Sequence, residues 1–140
     1  MCLITTRKKP FIAKEDMIVY KAFSRRSMSY ENMFFTSIHF PKTYEVGRIY
    51  NTTMEIIDSE MTYDSVTVTE RQELIDNGKK VYAIGPGFHA AELKSRIFSE
   101  RQRFICECII PKGSKYYIDN TGLIVSNSII VSKLLREPIL

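Results

Sequence analysis

Nowhere do the 140 residues hold an apolar run near the roughly 18 that cross a bilayer as a helix, so no membrane span is expected. Cysteine is scarce. Three residues, two of them at the C-x-C spacing of Cys106 and Cys108, make a poor disulfide framework and point to a reducing compartment. A metal half-site at that pair would need further thiolates or imidazoles, and the chain offers only Cys2, His39 and His89, so no metal is expected. No pairing of a nucleophile with a base and no phosphate-cradling loop stands out, and no cofactor is expected. The first ten residues place Arg7-Lys8-Lys9 after a short apolar stretch, the reverse of a secretory signal, which gives the expectation of a cytoplasmic protein.

What is present is the material of one ordinary core. With 44% hydrophobic and 26% charged residues the chain is too apolar for wholesale disorder, and its length suits a single globular domain spanning 1–140. The net charge of +4 is unevenly laid out: residues 1–30 hold seven Lys/Arg against two Asp/Glu, 31–78 hold three against nine, and 79–140 hold ten against five. Basic ends and an acidic middle either neutralise one another in the fold, the favoured reading, or leave one basic face for a polyanion. Tyrosine and phenylalanine could stack bases, but no nucleic-acid-binding module accompanies them.

Periodicity predicts short strands. Met17 to Phe23 is a β-branched and aromatic run, Met33 to Ile38 another, and the alternation set by Tyr44 and Val46 slips at Gly47, where a turn or bulge fits. Residues 24–32 are polar and irregular and read as a loop that exposes Arg25 and Arg26, the candidate binding residues. Further short strands are expected at 53–57 and 65–69, with one or two helical turns over 70–77 before Gly78. Ala90, Leu93 and Ile97 fall near one helical face, which predicts an amphipathic helix over 89–101, entered through the Gly85-Pro86-Gly87 turn with Gly87 at positive φ. After it, Phe104, Cys106, Cys108 and Ile110 share one face of a strand, and Glu107 takes the other. Turns at 111–114 and 119–122 separate hairpins. The sum is an α+β, β-rich single domain of short antiparallel strands and one short helix.

Two residues invite a catalytic reading beside their structural one. His89, at the expected helix start, has a titration range suited to proton transfer, yet in that place it also serves to cap the turn or cover the core edge. Glu107 is either a working carboxylate or a solvated one paired with Arg103 or Lys115.

The set Met1-Cys2-Leu3, Ile18-Val19-Tyr20-Lys21, Tyr44-Glu45-Val46-Gly47, Gly87-Phe88-His89 and Ile109-Ile110-Pro111-Lys112-Gly113-Ser114 resembles small proteins of Bacteroides-type gut bacteria and their phages. The resemblance spans most of the chain and implies a phage or mobile-element origin, cytoplasmic in the host cell or virion-associated, with no reaction to carry over. A fainter similarity is to ADP-ribosyltransferases. It implies a nicotinamide site in which Lys21 stands where those enzymes commonly carry Arg or His, Ser37 closes a partial Ser-Thr-Ser pattern, and Glu107 stands for the catalytic carboxylate before a hairpin. The first expectation is therefore a non-enzymatic protein-binding or assembly module whose partner is another protein; the alternative is a small enzyme using Lys21, Ser37, His89 and Glu107.

Overall fold

In the computed structural model, residues 3–5, 9–29, 32–37, 42–57, 82–85, 87–98, 100–119 and 121–139 are described. The elements expected at 65–69 and 70–77, together with His39 and most of the acidic middle segment, lie outside them.

Among the described residues the strands are β1 (Leu3–Thr5), β2 (Phe11–Ile12), β3 (Met17–Ser29), β4 (Asn32–Ser37), β5 (Thr43–Glu45), β6 (Ile49–Asn51), β7 (Glu55–Ile57), β8 (Tyr82–Gly85), β9 (Phe88–Ala91), β10 (Phe104–Ile110), β11 (Lys115–Ile118), β12 (Leu123–Ser126) and β13 (Ser128–Arg136). Among the described residues the one helical segment is the single turn α1, Lys94–Ile97. Among the described residues the chain is therefore all-β apart from that turn, and the expected α+β class is corrected. Residues 88–91 do not start a helix: they pair antiparallel with β12, from Leu123 opposite Ala91 to Ser126 opposite Phe88. The turn that follows has no side-chain N-cap and leaves Leu93 60% exposed, so the apolar stripe that would have repaid helix nucleation does not reach the core.

Ten strands form one sheet in the order β2-β11-β12-β9-β3-β10-β13-β6, with β4 paired to β3 and β5 to β4; β1, β8 and β7 form a separate three-stranded sheet. The long strand β3 organises the larger one. Its first half pairs with β10 from Met17 opposite Ile110 to Phe23 opposite Phe104, and its second half runs on alone with β4 as a hairpin to Ser29 opposite Asn32. The polar residues 24–29 are thus strand and not the expected loop, because a hairpin ladder is made by backbone groups and tolerates polar side chains on both faces. A register shift lies between Phe23 and Arg25, where Ser24 Oγ donates to the Thr36 carbonyl at 3.1 Å.

The sheet curls around its inner core. From β10 one ladder runs through β3 and β4 to β5 and the other through β13 to β6. The two ends meet where the Val46 N–H donates to the Met33 carbonyl at 2.9 Å and the Gly47 N–H to the Val131 carbonyl at 2.8 Å. Gly47, at φ +87°, makes the turn. Inside are Val19, Phe23, Phe35, Tyr44, Phe88, Ala90, Cys106, Cys108, Ile110, Ile124, Ile129 and Val131. A second, smaller cluster of Leu3, Ile84, Tyr117 and Val125 joins the three-stranded sheet to the outer face of the large one.

Cys106, Cys108 and Ile110 are fully buried, with Phe104 partly so, as their spacing predicts. Ile105 is buried as well, on the opposite face beside Ala22. Site-resolved thiol labelling of the native protein is expected to modify Cys106 and Cys108 only at the rate of unfolding. Fast labelling of both without denaturant would place β10 elsewhere.

Candidate functional site

The large sheet separates the four residues of the catalytic alternative. On β10, Cys106 stands opposite Lys21 and Glu107 opposite Tyr20, so Lys21 belongs to the inner face and Glu107 to the outer. Ser37 is paired with Phe23 and shares the inner face. His89 is paired with Val125 of the outer cluster, and Ala91, two residues on, is paired with Tyr20. His89 and Glu107 therefore share the outer face with strand β3 between them, while Lys21 and Ser37 lie behind the sheet. His89 sits in a strand and not at a helix start; its Nδ1 lies 3.2 Å from the Gly87 carbonyl. The cross-strand neighbours of Glu107 are Tyr20 and Lys133, in place of the expected Arg103 or Lys115.

Lys21 has a structural task. β3 pairs with β9 only at Tyr20, and one residue later the Lys21 ammonium donates to the His89 carbonyl at 2.7 Å, filling the gap where the two strands part. The Nζ also lies 5.8 Å from the centre of the Phe23 ring. Burial holds the Lys21 pKa below its ordinary value, opposed by the nearby Cys108. Burial pushes the Cys108 thiol up to about 12, with Lys21 drawing it down and Glu107 raising it. Burial raises Cys106 further still, with Cys108 adding to the shift. These thiols are protonated core residues, not nucleophiles.

The signs give a pH dependence. Because the folded pKa of Lys21 is depressed, the fold carries a charge penalty below it that is relieved as pH rises towards 10.5. The raised pKa values of Cys106, Cys108 and Tyr44 act oppositely: their share of stability is whole below 9.0 for the thiols and 10.0 for the phenol, and is lost as pH climbs above those values. Three groups against one predict a falling urea midpoint above pH 9. Lys21→Met removes the buried charge together with its bond to the His89 carbonyl, so the stability of the variant relative to the wild type is expected to fall as pH rises towards 10.5. A difference that is flat with pH would contradict the buried-charge account.

Arg25 and Arg26 lie on the free half of β3. Arg25 is exposed and makes no ion pair among the described residues; Arg26 pairs with Glu137 at 2.6 Å and lies 5.5 Å from the centre of the Phe104 ring. That contact joins two basic segments of the chain. Beyond Phe23 the other edge of β3 carries no strand among the described residues, and Met28 on it is 60% exposed.

A further grouping was not legible in the sequence. The Lys42 ammonium lies 5.5, 5.3 and 5.3 Å from the ring centres of Tyr44, Tyr50 and Phe88. Those rings come from β5, β6 and β9, which no local pattern links, so only the curl of the sheet reveals them together.

Among the described residues no group of three His, Cys, Asp or Glu side chains is placed to hold a metal ion, and no helix is long and apolar enough to cross a membrane. In comparisons with known proteins, no family model, no curated protein and no solved structure matches the chain.

Proposed function

We propose that this chain is a non-enzymatic binding module that engages an acidic surface of another protein through the free half of the β3–β4 hairpin. The observation that carries the reading is the edge of β3 beyond Phe23, which no strand covers among the described residues, with Arg25 exposed on one face of it and making no ion pair among those residues, and Met28 exposed on the other face. An edge offers backbone donors and acceptors to an added segment, and it is also the place where strand proteins ordinarily defend themselves with charge. Arginine and methionine are both enriched at protein interfaces. The resemblance to proteins of gut bacteria and their phages supports a partner in the host cytoplasm or in a virion assembly. The separation of Lys21 and Ser37 from Glu107 by the sheet speaks against a transferase-type site, in which all three would face one substrate.

Association should then be steered by charge. With the partner immobilised, Arg25→Glu is expected to slow association about tenfold at low salt while leaving the melting temperature unchanged, and the difference should shrink near 0.5 M salt. An association rate indifferent to both the substitution and the salt would remove the hairpin from the interface. Incubation with a nicotinamide dinucleotide is expected to give no hydrolysis; turnover that Glu107→Gln abolishes would favour the enzyme reading.

A further inference from the structure

We infer that Tyr44, Tyr50 and Phe88 form a cage for the trimethylammonium group of a small organic cation, which the chain's own Lys42 occupies when no ligand is bound. The cage is built before any ligand arrives. Tyr44 and Tyr50 meet at 4.9 Å and 75°, and Tyr44 and Phe88 at 6.0 Å and 75°. Tyr44 and Phe88 are held in the core at 5% and 4% exposure. The Tyr50 hydroxyl accepts a hydrogen bond from the Glu45 N–H at 2.7 Å, which fixes its ring across the β5–β6 turn. Burial, with Tyr50 and Cys108 adding to it, pushes the Tyr44 phenol up to about 12, so the wall is neutral at ordinary pH.

The three rings present negative π faces to one point, and a cation fills that point already. Lys42 is a poor match for the place it takes. Among the described residues its ammonium meets no carboxylate and makes no hydrogen bond, so its three N–H donors depend on water, which the rings displace. A quaternary ammonium carries the same charge with no N–H to satisfy and covers more of each ring face, so the cage selects it over the lysine. Lys42 itself is exposed, so its side chain can leave for solvent while the rings remain in place. In this arrangement the lysine competes with the ligand, and removing it raises apparent affinity by the reciprocal of the fraction of time the lysine had left the cage empty.

The test is titration with choline and with its neutral isostere 3,3-dimethylbutan-1-ol, followed through the ring resonances of Tyr50 and Phe88. Choline is expected to shift both rings, to bind Lys42→Ala about fivefold more tightly than the wild type, and to outbind the isostere in each protein. Tyr50→Leu, checked for folding by circular dichroism, is expected to lose the binding. Failure of choline to bind Lys42→Ala, or equal binding of the uncharged isostere, would overturn the inference. Neither outcome depends on a cage-truncating variant folding, and neither bears on the hairpin reading.

Discussion

Phe23→Ala is expected to cost about 3–5 kcal/mol of stability, read as a lower urea midpoint with an unchanged slope. Phe23 is fully buried at the point where β3 leaves β10 for β4, and its ring lies 5.5 Å from that of Phe35 and 5.8 Å from that of Tyr44. Truncation removes apolar area and leaves a cavity that fixed neighbours on three strands cannot fill. Against a total of roughly 5–15 kcal/mol for a domain, a loss of that size removes between about a fifth and all of the stability. Phe23→Leu, which keeps most of the volume, is expected to cost under about 1.5 kcal/mol. A loss below about 1 kcal/mol for the alanine variant would mean that the sheet does not close over this ring.

Gly87→Val is expected to cost about 3 kcal/mol, from two sources that act together. The residue has φ +149°, a region that side-chain-bearing residues rarely adopt, and a Cβ placed there would stand 2.5 Å from Val125 Cγ2, 3.2 Å from Met54 Cγ and 3.3 Å from the Ser126 carbonyl oxygen. Gly113 separates the two effects. Its φ is +88° but no atom lies within 4 Å of the added carbon, so Gly113→Ala should pay the backbone strain alone, about 1 kcal/mol. Equal losses at the two positions, by thermal or urea unfolding, would deny the close packing of β9 on β12.

The parts of this fold that could be read from the sequence are those in which local pattern and long-range pairing agree. The alternation of Phe104, Cys106, Cys108 and Ile110 marks both a strand and its buried face, and Gly47, Gly113 and Gly122 mark turns that the structure makes at positive φ. Where pattern and pairing disagree, pairing decides. Residues 24–29 look like a loop because Arg25, Arg26 and Ser27 have no core to face, yet β4 supplies the backbone partners. Ala90, Leu93 and Ile97 have helical spacing, but residues 88–91 are claimed by β12, far along the chain, and only one turn of helix is left. The candidate sites divide in the same way. Arg25 and Arg26 could be named because exposure follows from polarity, whereas the face that holds Lys21, its bond to the His89 carbonyl and the Lys42 cage depend on strand order, which composition does not encode.

Binding without catalysis is tested most directly by affinity capture from the native host with four forms of the chain: wild type, Arg25→Glu with Arg26→Glu, His89→Ala, and Glu107→Gln, each first shown to be folded. The account predicts one stoichiometric protein partner captured by the wild type, retained by the His89 and Glu107 variants, and lost or reduced at least about tenfold by the double charge reversal. Capture that survives charge reversal but fails with Glu107→Gln or His89→Ala would contradict it and move the functional site to the outer face of the sheet.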